Sequence, residues 1–430
     1  MKGFQVNRET GFTMDTSAIK FGPGTTQEVG DDMRQLGATR VMVVTDPGLS
    51  GSPAVETTMA SLKNAGLDAV LFDNVRIEPT DASFKEAIAF ATDGAFDGYV
   101  AVGGGSVIDT AKAANLYATW PADLLTYVNR PIGEGRPVPG RLKPLVAIPT
   151  TAGTGSETTG VAIFDLVEMH AKTGIAHRAL RPALGIIDPD NTISMPRMVT
   201  ACSALDVLSH AIESFTAIPF NQRPAPESPL LRPAYQGANP ISDIWAAKAV
   251  ELLTLNLPLV MADGENVNAR GQMMLAAAYA GIGFGNAGVH LPHGMSYPVS
   301  GMVRDYIPEG YPADHPIIPH GMSVILNAPA VFRFTAPADP ARHLAAARML
   351  GADTTGASPG DAGEILAQAV ITMMKLTGMP NGLSAVGFTP SDIDALVDGT
   401  LPQHRVTKLS PRPASRDDLS EIFLNAMTYW

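Results

Sequence analysis

The residue types best suited to chemistry in this chain are its histidines. There are nine, and four of them, His290, His293, His315 and His320, fall within about thirty residues. A fifth, His210, follows Asp206 by four residues in LDVLSHAIES. Positions i and i+4 share one helix face, so this carboxylate and imidazole can reach one ion. The same stretch carries Glu213, a further ligand or an acceptor behind the ligands. His293 and His320 each precede glycine, in LPHGMS and IPHGMS, and glycine lets neighbouring chain come close. One Asp oxygen and three imidazoles suit divalent iron or zinc and leave a position open for substrate. An Asp–His pair four apart is by itself commonly a satisfied surface or core pair. The twin His-Gly elements and the scarcity of other histidines set this one apart. The single cysteine, Cys202, excludes an internal disulfide, a multi-cysteine zinc site and an iron–sulfur cluster. Its plain reading is a small buried hydrophobe.

A second set of residues is built to meet phosphate. Gly103, Gly104, Gly105 and Ser106 follow the apolar run YVAV and precede the helical VIDTAKAANLYA. A glycine turn at a helix start offers backbone N–H groups and a positive dipole end. Another turn, PTTAGTGS, adds the hydroxyls of Thr150, Thr151 and Thr154 after a separate strand. The glycines also read simply as tight turns. Asp109 reads as part of a capping box with Ser106. No G-x-G-x-x-G follows the first strand, so the standard dinucleotide fingerprint is absent. Asp46, ending VMVVTD, stands where an acid holds a ribose 2′-hydroxyl, which favours NAD over NADP. It also suits a cap for the turn Asp46-Pro47-Gly48.

These residues need elements to position them. The runs 41–46, 69–75, 97–106, 145–151 and 184–189 read as strands, with helices such as 25–37 and 81–94 between them. That alternation predicts a parallel sheet with helices on its faces. Beyond Pro196 the pattern is helical, over 197–217, 241–262, 266–283, 319–334, 339–350, 359–377 and 389–400. We expect an α/β domain over 1–195 and an all-helical domain over 196–430. Six prolines in 219–240 exclude a helix there, and 301–319 also reads as a loop. Such loops are lids, binding segments or surface insertions. Arg223 and Arg232 in the first are placed to meet a substrate carboxylate, or to be simply solvated.

Composition limits the function. Of 430 residues, 45% are hydrophobic and 17% charged, a globular balance. A net charge of -12 argues against nucleic acid or an anionic membrane as partner. The N-terminus lacks a signal-peptide core, and no uninterrupted apolar run approaches a membrane span. We expect a cytoplasmic location, or the mitochondrial matrix if a presequence is missing, and a homo-oligomer.

Together, GGGSVIDTAK, PTTAGTGSETT, Asp206 with His210, HGMSYP and PHGMS resemble the iron-containing (group III) alcohol dehydrogenases, in order and over nearly the whole chain. The resemblance implies an α/β dinucleotide-binding domain with a parallel sheet and an all-α metal-binding domain, a dehydroquinate synthase-like fold with the active site between them. It implies Asp206, His210, His293 and His320 as ligands of Fe2+, with Zn2+ as the alternative. It implies NAD bound by Asp46, Gly103 to Ser106, Thr150, Thr151, Thr154 and Lys172. The segments NVRIEPTDASF, RPAYQGANPISDIW, AGIGFGNAGVHLPHGMSYP and LPQHRVTKLSP resemble a narrower branch. That branch implies hydride exchange from 4-hydroxybutyrate to 2-oxoglutarate, giving succinate semialdehyde and 2-hydroxyglutarate. An NAD-dependent dehydrogenase of small alcohols or hydroxy acids is the alternative. A non-redox lyase or synthase on the same scaffold, and an inactive NAD-binding protein, are further alternatives. Tyr297 stands where the family commonly has a histidine, which makes His290 the candidate proton relay, or a structural histidine of the helix cap.

Overall fold

The computed structural model describes residues 7–169, 171–311 and 315–430. Pro312 of the second expected loop and the first six residues lie outside these. The chain divides into two compact units. An α/β unit comprises Thr16–Ser203 and Leu259–Gly281. A helical unit comprises the described residues up to Asp15, with Ala204–Pro258 and Ile282–Trp430.

Among the described residues the α/β unit is built on eight strands. They are β1 (Ala18–Phe21), β2 (Arg40–Val44), β3 (Asp68–Phe72) and β4 (Gly98–Gly103), then β5 (Leu145–Pro149), β6 (Val161–Leu166), β7 (Ala171–Ala176) and β8 (Leu184–Ile187). Six form one parallel sheet in the order β1-β8-β5-β4-β2-β3. Val41 to Val44 and Val100 to Val102 are fully buried, as expected for strands covered on both faces. β4 and β5 pair side by side with Gly103 opposite Pro149, so both glycine-bearing turns leave the same sheet edge.

Sequence patterning did not foresee β1 or the hairpin of β6 and β7. β1 is a four-residue strand, AIKF, whose side chains are all at least partly exposed. Its place is set by register against β8, from Ala18 opposite Leu184 to Phe21 opposite Ile187. The hairpin carries charge within its strands, and Asp165 stands directly opposite Lys172. Cross-strand attraction there adds to the burial of Ala162, Phe164 and Ile175.

The expected helices form, for local reasons. Asp81–Gly94 starts at a reciprocal cap of Thr80 and Ser83. The stretch expected as one helix over 319–334 is two, His320–Ile325 and Ala328–Thr335, with Pro329 in the first turn of the second. Leu291–Gly301, Pro53–Asn64 and Arg416–Asn425 are additional helices. No strand lies beyond Ile187 among the described residues. The proline-rich stretch before Pro240 holds only two single 3-10 turns, Phe220–Gln222 and Pro229–Leu231.

Pro240–Ala262 is long and apolar enough, by length and composition, to cross a membrane. Its Ala246, Ala249, Val250, Leu253 and Leu257 are buried within the protein, while Ile241, Ile244, Leu255 and Leu259 are exposed, so the helix packs one face inward.

Gly155 shows how tightly the second glycine turn is packed. Its φ is +60°, and an added Cβ would lie 2.7 Å from Gly281 Cα and 2.8 Å from the Ala277 carbonyl oxygen. Gly155→Val therefore combines left-handed strain with overpacking and costs about 2 kcal/mol or more. The expected fall in thermal midpoint is roughly 4–8 °C by calorimetry. Gly51→Ala, where nothing lies within 4 Å, serves as the control.

Candidate metal centre and cofactor turns

Three helices bring the candidate ion-binding side chains together. Arg197–Thr216 carries Asp206 and His210 one turn apart, Leu291–Gly301 carries His293, and His320 opens His320–Ile325. One donor atom from each of the four lies within 4.8 Å of every other. His210 Nε2 and His293 Nε2 are each 3.6 Å from Asp206 Oδ1, and His320 Nε2 is 3.8 Å from it. Donors about 2.1 Å from a tetrahedral ion stand roughly 3.4 Å apart, so the spacing fits a shared ion and is too long for hydrogen bonds. Asp206 Oδ1 and His293 Nε2 are buried and have no hydrogen-bond partner. Unpartnered donors and acceptors facing one another inside a protein are costly, and a cation among them removes the cost. His320 is 27% exposed at its side chain and forms the open side.

The second layer fixes the ligands. Glu213, wholly buried, accepts from His293 Nδ1 at 2.6 Å and from the His290 backbone N–H at 2.7 Å. Of the two roles open to Glu213, the structure gives it that of acceptor. Burial opposes its charge, but the adjoining His293 and His290 hold its carboxyl below the usual range. Burial also disfavours a charged His293, yet Glu213 and Asp206 outweigh it and make the ring more basic, a stronger ligand. Phe284 stacks on His210 at 3.9 Å between ring centres. Gly294 is required by packing, since a Cβ there would lie 2.6 Å from Thr407 Cγ2.

The cofactor candidates gather in the α/β unit at the ends of β2, β4 and β5. A Cβ on Gly105 would lie 2.6 Å from Thr154 Cγ2, and one on Gly104 3.4 Å from Thr151 Cγ2, so the two turns touch. No side chain caps the helix Gly105–Thr119 at Gly104. That leaves its first N–H groups turned outward at the dipole's positive end. The Thr150 N–H donates to the Gly103 carbonyl, and Thr154 Oγ1 accepts from the Ser156 N–H. Ser106 Oγ accepts from the Glu78 N–H. Asp46 accepts from the Gly48 N–H at 2.9 Å and so caps its own turn, and burial pushes its carboxyl up. Lys172 pairs with Glu78 and with Asp165 at 3.2 Å.

Asp109 departs from the capping-box reading. It accepts from Ser156 Oγ at 2.6 Å and the Ile163 N–H at 2.9 Å, and so ties its helix to β6. The fully buried Lys112 donates to Ser156 Oγ and the Val161 carbonyl, and burial pushes its amine down to about 8.

The comparisons with known proteins agree with this geometry. The family described as iron-containing alcohol dehydrogenase matches residues 16–189, and its C-terminal counterpart matches 234–427. The chain belongs to the iron-containing alcohol dehydrogenase family. It is 54% identical over 418 residues to the mitochondrial hydroxyacid-oxoacid transhydrogenase of Bos taurus, across 97% of this chain and 90% of that one. A probable mitochondrial hydroxyacid-oxoacid transhydrogenase of Dictyostelium discoideum is 52% identical across 99% of this chain and 80% of its own length. Among solved structures, a 1,3-propanediol oxidoreductase superposes with TM-score 0.84 at 28% identity, covering 97% of this chain and all of that one. The NAD+ complex of a sulfoacetaldehyde reductase from Bifidobacterium kashiwanohense superposes with TM-score 0.79 at 25% identity, covering 97% and 99%.

Within this family frame, the other candidates fall in distinct places. His315 is not in the ligand set. His290 is wholly buried at the cap of its helix, with Nε2 3.0 Å from Thr216 Oγ1 and burial holding its pKa near 4. Tyr297 follows His293 by one turn, and its hydroxyl accepts from Arg405 Nη2 at 2.9 Å. Arg232 is engaged by Glu9 through two contacts, Nε to Oε2 at 2.9 Å and Nη2 to Oε1 at 3.1 Å. Arg223 is partly buried, which lowers its pKa. Sequence reasoning missed Phe284, Tyr235 and Arg405. Arg405 lies in LPQHRVTKLSP, a segment that carried a resemblance but no chemical assignment.

Replacing Glu213 by Gln should weaken ion retention about 10- to 100-fold, because the His293 ring loses its charged acceptor. His210→Ala should abolish retention with the fold intact by circular dichroism. Both are read as metal content after dialysis against graded chelator. Full occupancy in His210→Ala would refute the ligand set.

Proposed function

We propose that the protein is an oxidoreductase acting on CH–OH groups that exchanges hydride between a hydroxy acid and an oxo acid. In this reaction 4-hydroxybutyrate becomes succinate semialdehyde while 2-oxoglutarate becomes 2-hydroxyglutarate. The single observation that carries it is the 54% identity over 97% of the chain to hydroxyacid-oxoacid transhydrogenases, with the four-donor ion set in place. NAD and a divalent ion, iron by family and zinc by the same donor chemistry, are the proposed cofactors. When bound, the ion lowers the pKa of a hydroxyl beside it, and the nicotinamide accepts and returns the hydride.

The chain's own groups do the rest. Asp206, His210, His293 and His320 hold the ion, and Glu213 holds His293 in one ring orientation. Gly103 to Ser106, Thr150, Thr151 and Thr154 take the dinucleotide phosphates, and Asp46 takes the ribose. Lys172 borders that region, held by Glu78 and Asp165. Of the two proton-bearing candidates, His290 has its ring turned to Thr216. Tyr297 is on the helix of His293, and Arg405 donates to its oxygen, so its own proton can point elsewhere. We assign proton exchange to Tyr297 Oη. The named relatives are mitochondrial, which favours the matrix over the cytoplasm. Exposed Ile244 and Leu255 offer apolar surface for a homo-oligomer.

Purified protein with no added nucleotide should convert the two acids in step. Deuterium on the carbinol carbon of 4-hydroxybutyrate should appear in 2-hydroxyglutarate and not in water. Turnover that stops when stoichiometric free NAD is spent would instead identify an ordinary NAD-dependent alcohol dehydrogenase.

NAD should bind more tightly than NADP, since a carboxylate repels a 2′-phosphate. Asp46→Gly should narrow that gap in titrations of nucleotide-free protein. Tighter NADP binding by the wild type would refute the role of Asp46.

A further inference from the structure

The helical unit holds three cations, Arg405, Arg223 and Lys408, that form no ion pair among the described residues, the charge of Glu9 being felt by Arg223 without contact between the side chains. Arg405 sits in the short helix His404–Thr407. Its Nη2 donates to the Tyr297 hydroxyl at 2.9 Å, and its guanidinium carbon lies 5.1 Å from the centre of the Tyr235 ring. Its Nη1 is buried with no hydrogen-bond partner. Lys408 caps the C-terminus of the same short helix, three residues beyond Arg405, and Arg223 Cδ lies 3.2 Å from where a Cβ on Gly237 would stand, two residues from Tyr235, so the three cations are neighbours. Glu9 is already taken by Arg232 and by the Thr10 and Gly11 N–H groups. Among the described residues no ion pair joins Arg405, Arg223 or Lys408 to an acid. In a chain with 42 acidic and 30 basic side chains, this is not a general surplus of positive charge. A guanidinium N–H buried without an acceptor, beside two more cations, is costly unless an anion occupies the group.

The cluster is joined to the ion site by two routes. Tyr297 is one turn beyond His293 on the same helix. Tyr235 packs edge-on against Phe284, which stacks on His210. The two acids of the proposed reaction share one chemical feature. In 4-hydroxybutyrate the reacting carbon is separated from a carboxylate by two methylenes, and in 2-oxoglutarate the carbonyl carbon is separated from its distal carboxylate by the same two. A single anion site therefore delivers either reacting carbon to the same place.

We propose that Arg405, with Lys408 and Arg223 beside it, binds this shared distal carboxylate and so sets which hydroxy and oxo acids react. This rests on the hydride-exchange reading. It replaces Arg232, which Glu9 occupies, and keeps Arg223.

The test compares 4-hydroxybutyrate with its neutral amide, and with 3-hydroxypropionate and 5-hydroxypentanoate, on the enzyme as purified with its ion and nucleotide. Wild type should favour the acid over the amide and the four-carbon acid over its shorter and longer homologues. Arg405→Met should lower the acid-to-amide ratio of kcat/KM about 10- to 100-fold, flatten the chain-length preference and leave metal content unchanged. Arg405→Lys should restore part of the ratio. Lys408→Gln, at the surface, should move the ratio the same way and decides the matter if Arg405→Met does not fold. Equal losses for acid and amide, or no acid preference in wild type, would overturn the proposal. A lowered ratio in a protein that transfers no deuterium between the acids would keep the carboxylate site and reject the hydride-exchange reading.

Discussion

A buried carboxylate oxygen that accepts no hydrogen bond, facing three imidazole nitrogens, is the constraint on which the helical unit turns. Asp206 Oδ1 and His293 Nε2 lose their hydration and gain no partner from the chain. A cation shared with His210 and His320 would balance that loss. The surrounding choices follow from keeping these donors fixed. Glu213 sets the His293 ring, Phe284 lies flat on His210, and Gly294 leaves room for the Thr407 methyl.

The α/β unit faces a different problem under the proposed function, that of holding phosphate with a chain of net negative charge. It does so with backbone groups. Parallel strands end at one edge, and β4 and β5 leave it through turns whose glycines let Thr154 pack directly on Gly105. Three charged residues near these turns, Asp109, Lys112 and Lys172, are engaged internally. Asp109 and Lys112 bind the helix to β6, and Lys172 lies between Glu78 and Asp165. Charge there stiffens the scaffold, while N–H groups and hydroxyls remain for the ligand.

Electrostatics in the helical unit run the other way. The ion site collects acceptors, and the Arg405 cluster leaves donors unanswered. Aromatic side chains separate the two, Tyr235 and Phe284 on one path and Tyr297 on the other. A substrate with a hydroxyl at one end and a carboxylate at the other matches that polarity.

The sequence by itself determined the central strands and the long helices, and its motifs singled out the four side chains that the fold brings together as candidate ion ligands. The strands are legible because a parallel strand covered on both faces is written as an unbroken apolar run, as in RVMVV and LVAIP. Asp206 and His210 are legible because helical spacing alone puts them on one face. What is absent from local pattern belongs to register and packing between distant segments. β1 exists through β8, and Lys172 takes its place from Asp165 across a hairpin. The choice of Glu213 as acceptor depended on a helix 80 residues later. Arg232 looked available until Glu9, 223 residues away, was found against it, and Arg405 carried no spacing signal. Its role rests on which acids are missing around it, and only the folded chain decides that.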